Sequence, residues 1–168
     1  MQRRRLLQLG LGAGAVFALA GTAALAWRPG LDAGRLSAGA RAIFQKVAEV
    51  VLDGSLPTEP AARQRALAAH VERVQATIHG LPLATRHELS MLLGLLDTAP
   101  GRLGMLGVAT PWEALPAAAL ADALNQMRTS RVQLRQQAYS ALRELTNASY
   151  FAERGTWQLL GYPGPLDI

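Results

Sequence analysis

Residues 116–147, Pro116-Ala-Ala-Ala-Leu-Ala-Asp-Ala-Leu-Asn-Gln-Met-Arg-Thr-Ser-Arg-Val-Gln-Leu-Arg-Gln-Gln-Ala-Tyr-Ser-Ala-Leu-Arg-Glu-Leu-Thr-Asn147, decide the fold. Leu120, Leu124, Met127, Leu134, Ala138, Leu142 and Leu145 recur at intervals of three, four or seven, which lays them on one stripe of an α-helix. Pro116 suits a first helical turn, and Thr129-Ser130 is a place where the helix can divide in two. On an unbroken helix Arg131 projects from within this stripe, between Arg128 and Arg135. It reads either as a core-edge arginine pairing with Asp122 or another acid, or as a guanidinium presented to a partner.

The same periodicity extends upstream. Ser37 can cap a helix carrying Ile43, Phe44, Val47, Val50 and Val51, which Asp53-Gly54-Ser55-Leu56-Pro57 stops. A second helix begins near Pro60, shows Leu67, Val71, Val74 and Ile78, and ends at Gly80-Leu81-Pro82. Thr85-x-x-Glu88 reads as a capping box opening a short Leu-rich third helix with Leu89, Leu92, Leu93 and Leu96. Thr98 to Pro111, holding Gly101, Gly104, Gly107 and two prolines, reads as an ordered surface loop, either a connector or a contact loop. It has no Gly-Lys-Ser/Thr and no preceding strand, so it is not a phosphate loop. Thr110-Pro111-Trp112-Glu113 looks like another cap-like start, and no alternating strand pattern occurs. The expectation is an all-α antiparallel helical bundle with one core and an irregular aromatic Pro/Gly-rich C-terminal tail.

The N-terminus has the anatomy of an export signal. Arg3, Arg4 and Arg5 precede an uncharged run from Leu6 to Ala26 that ends in the small-residue box Ala24-Leu25-Ala26. Arg3-Arg4-x-Leu6-Leu7-Gln8 fits the twin-arginine pattern, a route for proteins already folded. Cleavage at Ala24 and Ala26 is one outcome; a retained membrane anchor and a buried core helix are the others, since about twenty apolar residues would span a bilayer. Gly10, Gly12, Gly14 and Gly21 lower the hydrophobicity and favour cleavage. Export places the remainder in the periplasm, with membrane contact only through the signal segment. The chain thus divides into a signal (1–26), a bundle domain (27–149) and a tail (150–168).

The formal charge of +5 suggests nucleic acid at first sight. Removing the three signal arginines leaves 14 basic residues against 12 acidic ones, too even for a nucleic-acid footprint. Cysteine is absent, which excludes disulfides, thiolate-held iron–sulfur clusters and C-x-x-C-H haem attachment. His70, His79 and His87 share no metal-binding register and are expected to face solvent or be partly buried. The carboxylates are not paired on a helix interior as a bundle metal site requires, and no serine sits in a nucleophile elbow. The residues therefore suggest a protein that binds rather than catalyses, with no catalytic, cofactor or metal residues of its own.

Tyr150, Phe151, Trp157 and Tyr162 place four of nine aromatics in the last nineteen residues, followed by Pro163, Gly164 and Pro165. Such a segment either wraps its own bundle or docks on another subunit. At this tail the chain resembles the small subunits of the gluconate 2-dehydrogenase subunit 3 type. The resemblance rests on the Arg3-Arg4 signal followed by Val50-Val51-Leu52-Asp53-Gly54-Ser55-Leu56-Pro57, on Arg128-Thr129-Ser130 with its helix to Tyr150-Phe151, and on Trp157-Gln158-Leu159-Leu160-Gly161-Tyr162-Pro163-Gly164-Pro165. It implies a non-catalytic subunit exported through the twin-arginine translocase together with an FAD-dependent dehydrogenase of the glucose–methanol–choline class, often beside a cytochrome c subunit. Arg128, Arg131, Tyr150, Phe151, Trp157, Tyr162, Pro163 and Gly164 are the expected partner-contact residues. The alternative is a membrane-tethered periplasmic protein that binds a small apolar ligand between its helices.

Overall fold

The computed structural model describes residues 28–162. The signal residues Arg3, Arg4, Leu6, Leu7, Ala24 and Ala26, and the tail residues Pro163 and Gly164, lie outside that span. Among the described residues a short hairpin, β1 (Leu31–Asp32) and β2 (Arg35–Leu36), precedes six α-helices. These are α1 (Ala38–Val51), α2 (Pro60–His79), α3 (Leu83–Asp97), α4 (Ala99–Leu106), α5 (Ala117–Arg128) and α6 (Gln133–Phe151). A 3-10 turn at Trp112–Ala114 leads into α5, and a 3-10 segment at Arg154–Leu160 follows α6. The chain is an all-α helical bundle.

Helix α1 is its axis and packs against α2, α3, α5, α6 and the Trp112 turn. Ile43, Phe44 and Val47 are wholly buried on the face the sequence periodicity assigned to the core. The ends follow local chemistry. The Ser37 hydroxyl accepts from the Ala40 N–H at 3.1 Å, while Gly54 adopts φ +80° just beyond the helix. For α2, Pro60 occupies the first turn and the Glu59 carboxylate takes two of the free N–H groups, those of Ala61 and Ala62.

Several expectations need correction. Two strands exist, but each is only two residues long, too short for an alternating pattern to register. Their turn carries positive φ at both Ala33 and Gly34, as tight hairpins require. Thr85 does not cap α3, because the helix has already started after Pro82 and gains no side-chain cap. The largest correction concerns residues 98–111, which hold a two-turn helix rather than a loop. The Thr98 hydroxyl donates to the Leu95 carbonyl at 2.8 Å and accepts from the Gly101 N–H at 3.1 Å, starting α4. Gly101 is there for clearance, since a Cβ would overlap the Leu95 carbonyl oxygen. Arg102 then ties the segment down, donating to the carbonyls of Asp97 at 2.6 Å and Ala109 at 3.2 Å. Trp112, 1% exposed, fastens the far end by donating from its indole to Leu96 O at 2.9 Å.

The decisive stretch does divide at Thr129, giving α5 and α6. Its stripe is not uniformly buried. Leu120, Leu124, Met127, Ala138 and Leu142 enter the core, but Leu134 is 51% exposed and Leu145 only half-buried. The break resets the phase, so α6 carries apolar residues over a wider arc than the core can cover.

Candidate functional site

Two features of the bundle bear on function: a buried polar seam and an open apolar groove. The seam lies where α2 meets α6. His70 sits on the face that also bears Leu67, Val71 and Val74, and it is fully buried, against the expectation of a solvent-facing or partly buried residue. Spacing already held that signal, since His70 lies three residues from Leu67 and four from Val74. Its ring meets Tyr150 edge-on at 6.0 Å, and neither ring nitrogen has a hydrogen-bond partner. Burial, then the nearby Arg73 charge, lowers its pKa from 6.5 to about 4, so the ring is neutral near pH 7.

Around it Tyr150, Arg73 and Ser149 are partnered, whereas the Thr146 hydroxyl, fully buried on α6, has no hydrogen-bond partner. The Tyr150 hydroxyl donates to Ser55 O at 2.7 Å; burial raises its pKa while Arg73 pulls the other way. Arg73 donates from Nε to Ser149 O at 3.2 Å, with its guanidinium 5.9 Å from the Tyr150 ring centre. The Ser149 hydroxyl donates to Thr77 Oγ1 at 3.0 Å. No carboxylate takes part in these contacts, and the ring is sealed from solvent. The seam fixes how α2 and α6 pack. Among the described residues no group of three or more His, Asp or Glu side chains could hold a metal ion.

The groove lies on another side of α6. Helices α3 and α6 both pack on α1 but make little contact with each other, leaving a channel of about 610 Å³ open along one side. One wall is the Leu-rich helix α3, with Thr85, Glu88, Leu89 and Leu92. The other is α6, with Leu134, Ala138, Ala141, Glu144, Leu145 and Ala148, spaced as one face of a helix. The α6 alanines leave space beside the helix backbone, and the leucines of both helices supply apolar surface. From Leu134 to Ala148 the helical rise gives a length of about 21 Å. Glu88 and Glu144 stand on opposite walls, both exposed, and neither forms an ion pair among the described residues.

The expected partner-contact residues do not form one surface. Arg128 ends α5 with its guanidinium on Asn125 Oδ1 at 2.8 Å, and Arg131 is exposed in the following break rather than set into the core edge. The aromatic cluster lies at the opposite end of α6, about 27 Å away by helical rise. Within it Tyr150 is a core residue, only 5% exposed, and Phe151 is half-buried. Trp157 donates from its indole to Phe151 O at 2.9 Å and lies 5.4 Å from the Tyr162 ring. Arg154 caps its outer side at 5.8 Å, and Tyr162 is 47% exposed. The tail thus folds back on the end of α6 and shows solvent a supported aromatic pair.

The groove was only partly visible in the sequence. The Leu-rich character of α3 was evident, but the meeting of its outer face with the surplus apolar arc of α6 depends on tertiary packing. No family model, curated protein or solved structure matches the chain.

Proposed function

We propose that this protein is a non-catalytic, exported helical subunit that binds an FAD-dependent dehydrogenase in folded form and lends it a twin-arginine export signal. The observation that carries this reading is the Arg3-Arg4 signal joined to a domain whose C-terminal end presents Trp157 and Tyr162 as a supported aromatic pair. Aromatic side chains held in place by local hydrogen bonds lose little entropy on docking, which makes them efficient contact anchors. FAD belongs to the partner in this scheme, and a cytochrome c subunit can complete the complex. The periplasm is the destination.

Deleting the whole tail from residue 150 would remove Tyr150 from the core, so side-chain truncation is the cleaner test. The doubly substituted Trp157→Ala/Tyr162→Ala chain should fold normally yet lose co-purification with a co-expressed FAD-dependent dehydrogenase that lacks a signal of its own. Unchanged co-purification would remove the tail from the interface.

The alternative, an apolar ligand held between helices, draws on the α3–α6 groove. At about 610 Å³ the groove falls within the size range of ligand sites. Its open side and length of about 21 Å suit a chain segment better than a compact molecule.

A further inference from the structure

We infer that the α3–α6 groove docks an amphipathic helix of another protein, one whose leucine-type apolar stripe is flanked on both sides by lysine or arginine. The site is separate from the aromatic pair, since neither Trp157 nor Tyr162 lines the channel, and it does not depend on what that pair binds. Shape comes first. About 610 Å³ spread over about 21 Å leaves a cross-section of about 30 Å². That admits one row of side chains and is too narrow for a whole helix, which is about 10 Å across. The fitting occupant therefore lies along the open mouth and inserts a single row, as helix-in-groove complexes do with anchors at i, i+3, i+4 and i+7. A length of about 21 Å takes roughly fourteen residues of such a helix, or two heptads.

Charge then selects among occupants. Among the described residues Glu88 and Glu144 are the only charged side chains lining the channel, one on each wall, both exposed and neither in an ion pair. An uncharged ligand would strip water from the two carboxylates and return nothing for it. A second copy of this chain laid groove to groove would gather four carboxylates into one apolar contact, with no cation among the lining residues to offset them. An anionic lipid surface meets the same repulsion. A helix with cations on both sides of its apolar stripe sets one flank beside each glutamate. Charges at the e and g positions of a coiled coil border an apolar seam in the same way and decide which partner is accepted. Because Glu88 and Glu144 stay at the wet rim, the inserted apolar row supplies most of the affinity and the glutamates supply the selection.

The probe is a synthetic, end-capped peptide of three heptads with leucine at a and d and lysine at e and g. Its control carries glutamate at e and g. Each is titrated into the isotope-labelled full-length chain while the backbone amide signals are recorded. The lysine peptide should shift the signals of Leu92, Ala141 and Leu145, and the glutamate peptide should bind roughly tenfold more weakly. The E88Q/E144Q variant changes only exposed side chains and should keep its fold; it should bind the lysine peptide about fivefold more weakly, the scale of two exposed ion pairs. Ala141→Trp fills the channel from a half-buried position and should abolish the shifts at unchanged helical content. Equal binding of the two peptides, shifts confined to residues outside the channel, or an affinity unmoved by E88Q/E144Q overturns the inference. So does a dimer in sedimentation that Ala141→Trp dissolves, since the occupant is then a second copy. The titration needs no dehydrogenase, so its failure leaves the subunit reading standing, and failed co-export leaves the groove site standing.

Discussion

Replacing His70 by leucine should change how the protein responds to acid. The wild-type ring is fully buried, has no hydrogen-bond partner on either nitrogen, and faces Arg73 from its own helix and Tyr150 from α6. Nothing there stabilises an imidazolium. With a folded pKa of about 4 against 6.5 unfolded, the unfolded chain binds the extra proton first as pH falls. The stability from this site is therefore fully present above pH 6.5 and is lost as pH drops from 6.5 towards 4. Linkage gives a loss of about 2 kcal/mol between pH 7 and pH 5, and about 3 kcal/mol by pH 4. Leucine has a similar volume and removes two unsatisfied polar atoms, so H70L should be at least as stable as wild type at pH 7. Urea unfolding at pH 7, 6, 5 and 4 measures both chains, and their difference cancels the shared titration of surface carboxylates. The margin of H70L over wild type should widen progressively below pH 6.5. Parallel pH profiles, or an H70L chain several kcal/mol weaker at pH 7, would show that the buried ring is partnered or protonated and that the reasoning is wrong.

Other expectations follow from single contacts. Tyr150→Phe removes the hydrogen bond to Ser55 O and should cost about 1–2 kcal/mol in urea unfolding, with co-purification of the partner retained. Gly101→Ala forces a methyl group onto the Leu95 carbonyl and should cost roughly 1–3 kcal/mol, read as a lower thermal midpoint. Ala33→Asn places a residue that tolerates positive φ in a tight turn before Gly34 and should stabilise by up to about 1 kcal/mol in the same assay.

Much of the bundle was legible because local chemistry and global packing agree there. Ser37, Pro60 and the Thr129-Ser130 break each mark a real boundary, and the spacing of Ile43, Phe44 and Val47 identified the buried face of α1. Residues 98–111 misled because glycine speaks with two voices. Gly107 ends a helix at φ +79°, whereas Gly101 lies inside one, where absence of a side chain permits close approach to Leu95. The Thr85-x-x-Glu88 pattern misled because Pro82 had already opened α3, leaving Thr85 inside its first turn. His70 was readable from its place between Leu67 and Val74, but its chemistry argued for solvent and its spacing argued for the core; spacing won. Of the candidate site, the aromatic tail was visible as composition, while the inward turn of Tyr150 was not. The groove needed two helices to be brought near each other without closing, and no single stretch of sequence encodes that gap.

The central claim is that this chain's signal serves a second protein. The most direct test is to express the chain with an FAD-dependent dehydrogenase that has no signal of its own, and to measure flavoprotein in the periplasmic fraction. The wild-type chain is compared with an Arg3→Lys/Arg4→Lys variant. Periplasmic flavoprotein is expected with the wild-type chain, and cytoplasmic retention with the variant. Equal periplasmic flavoprotein in both strains would contradict the claim.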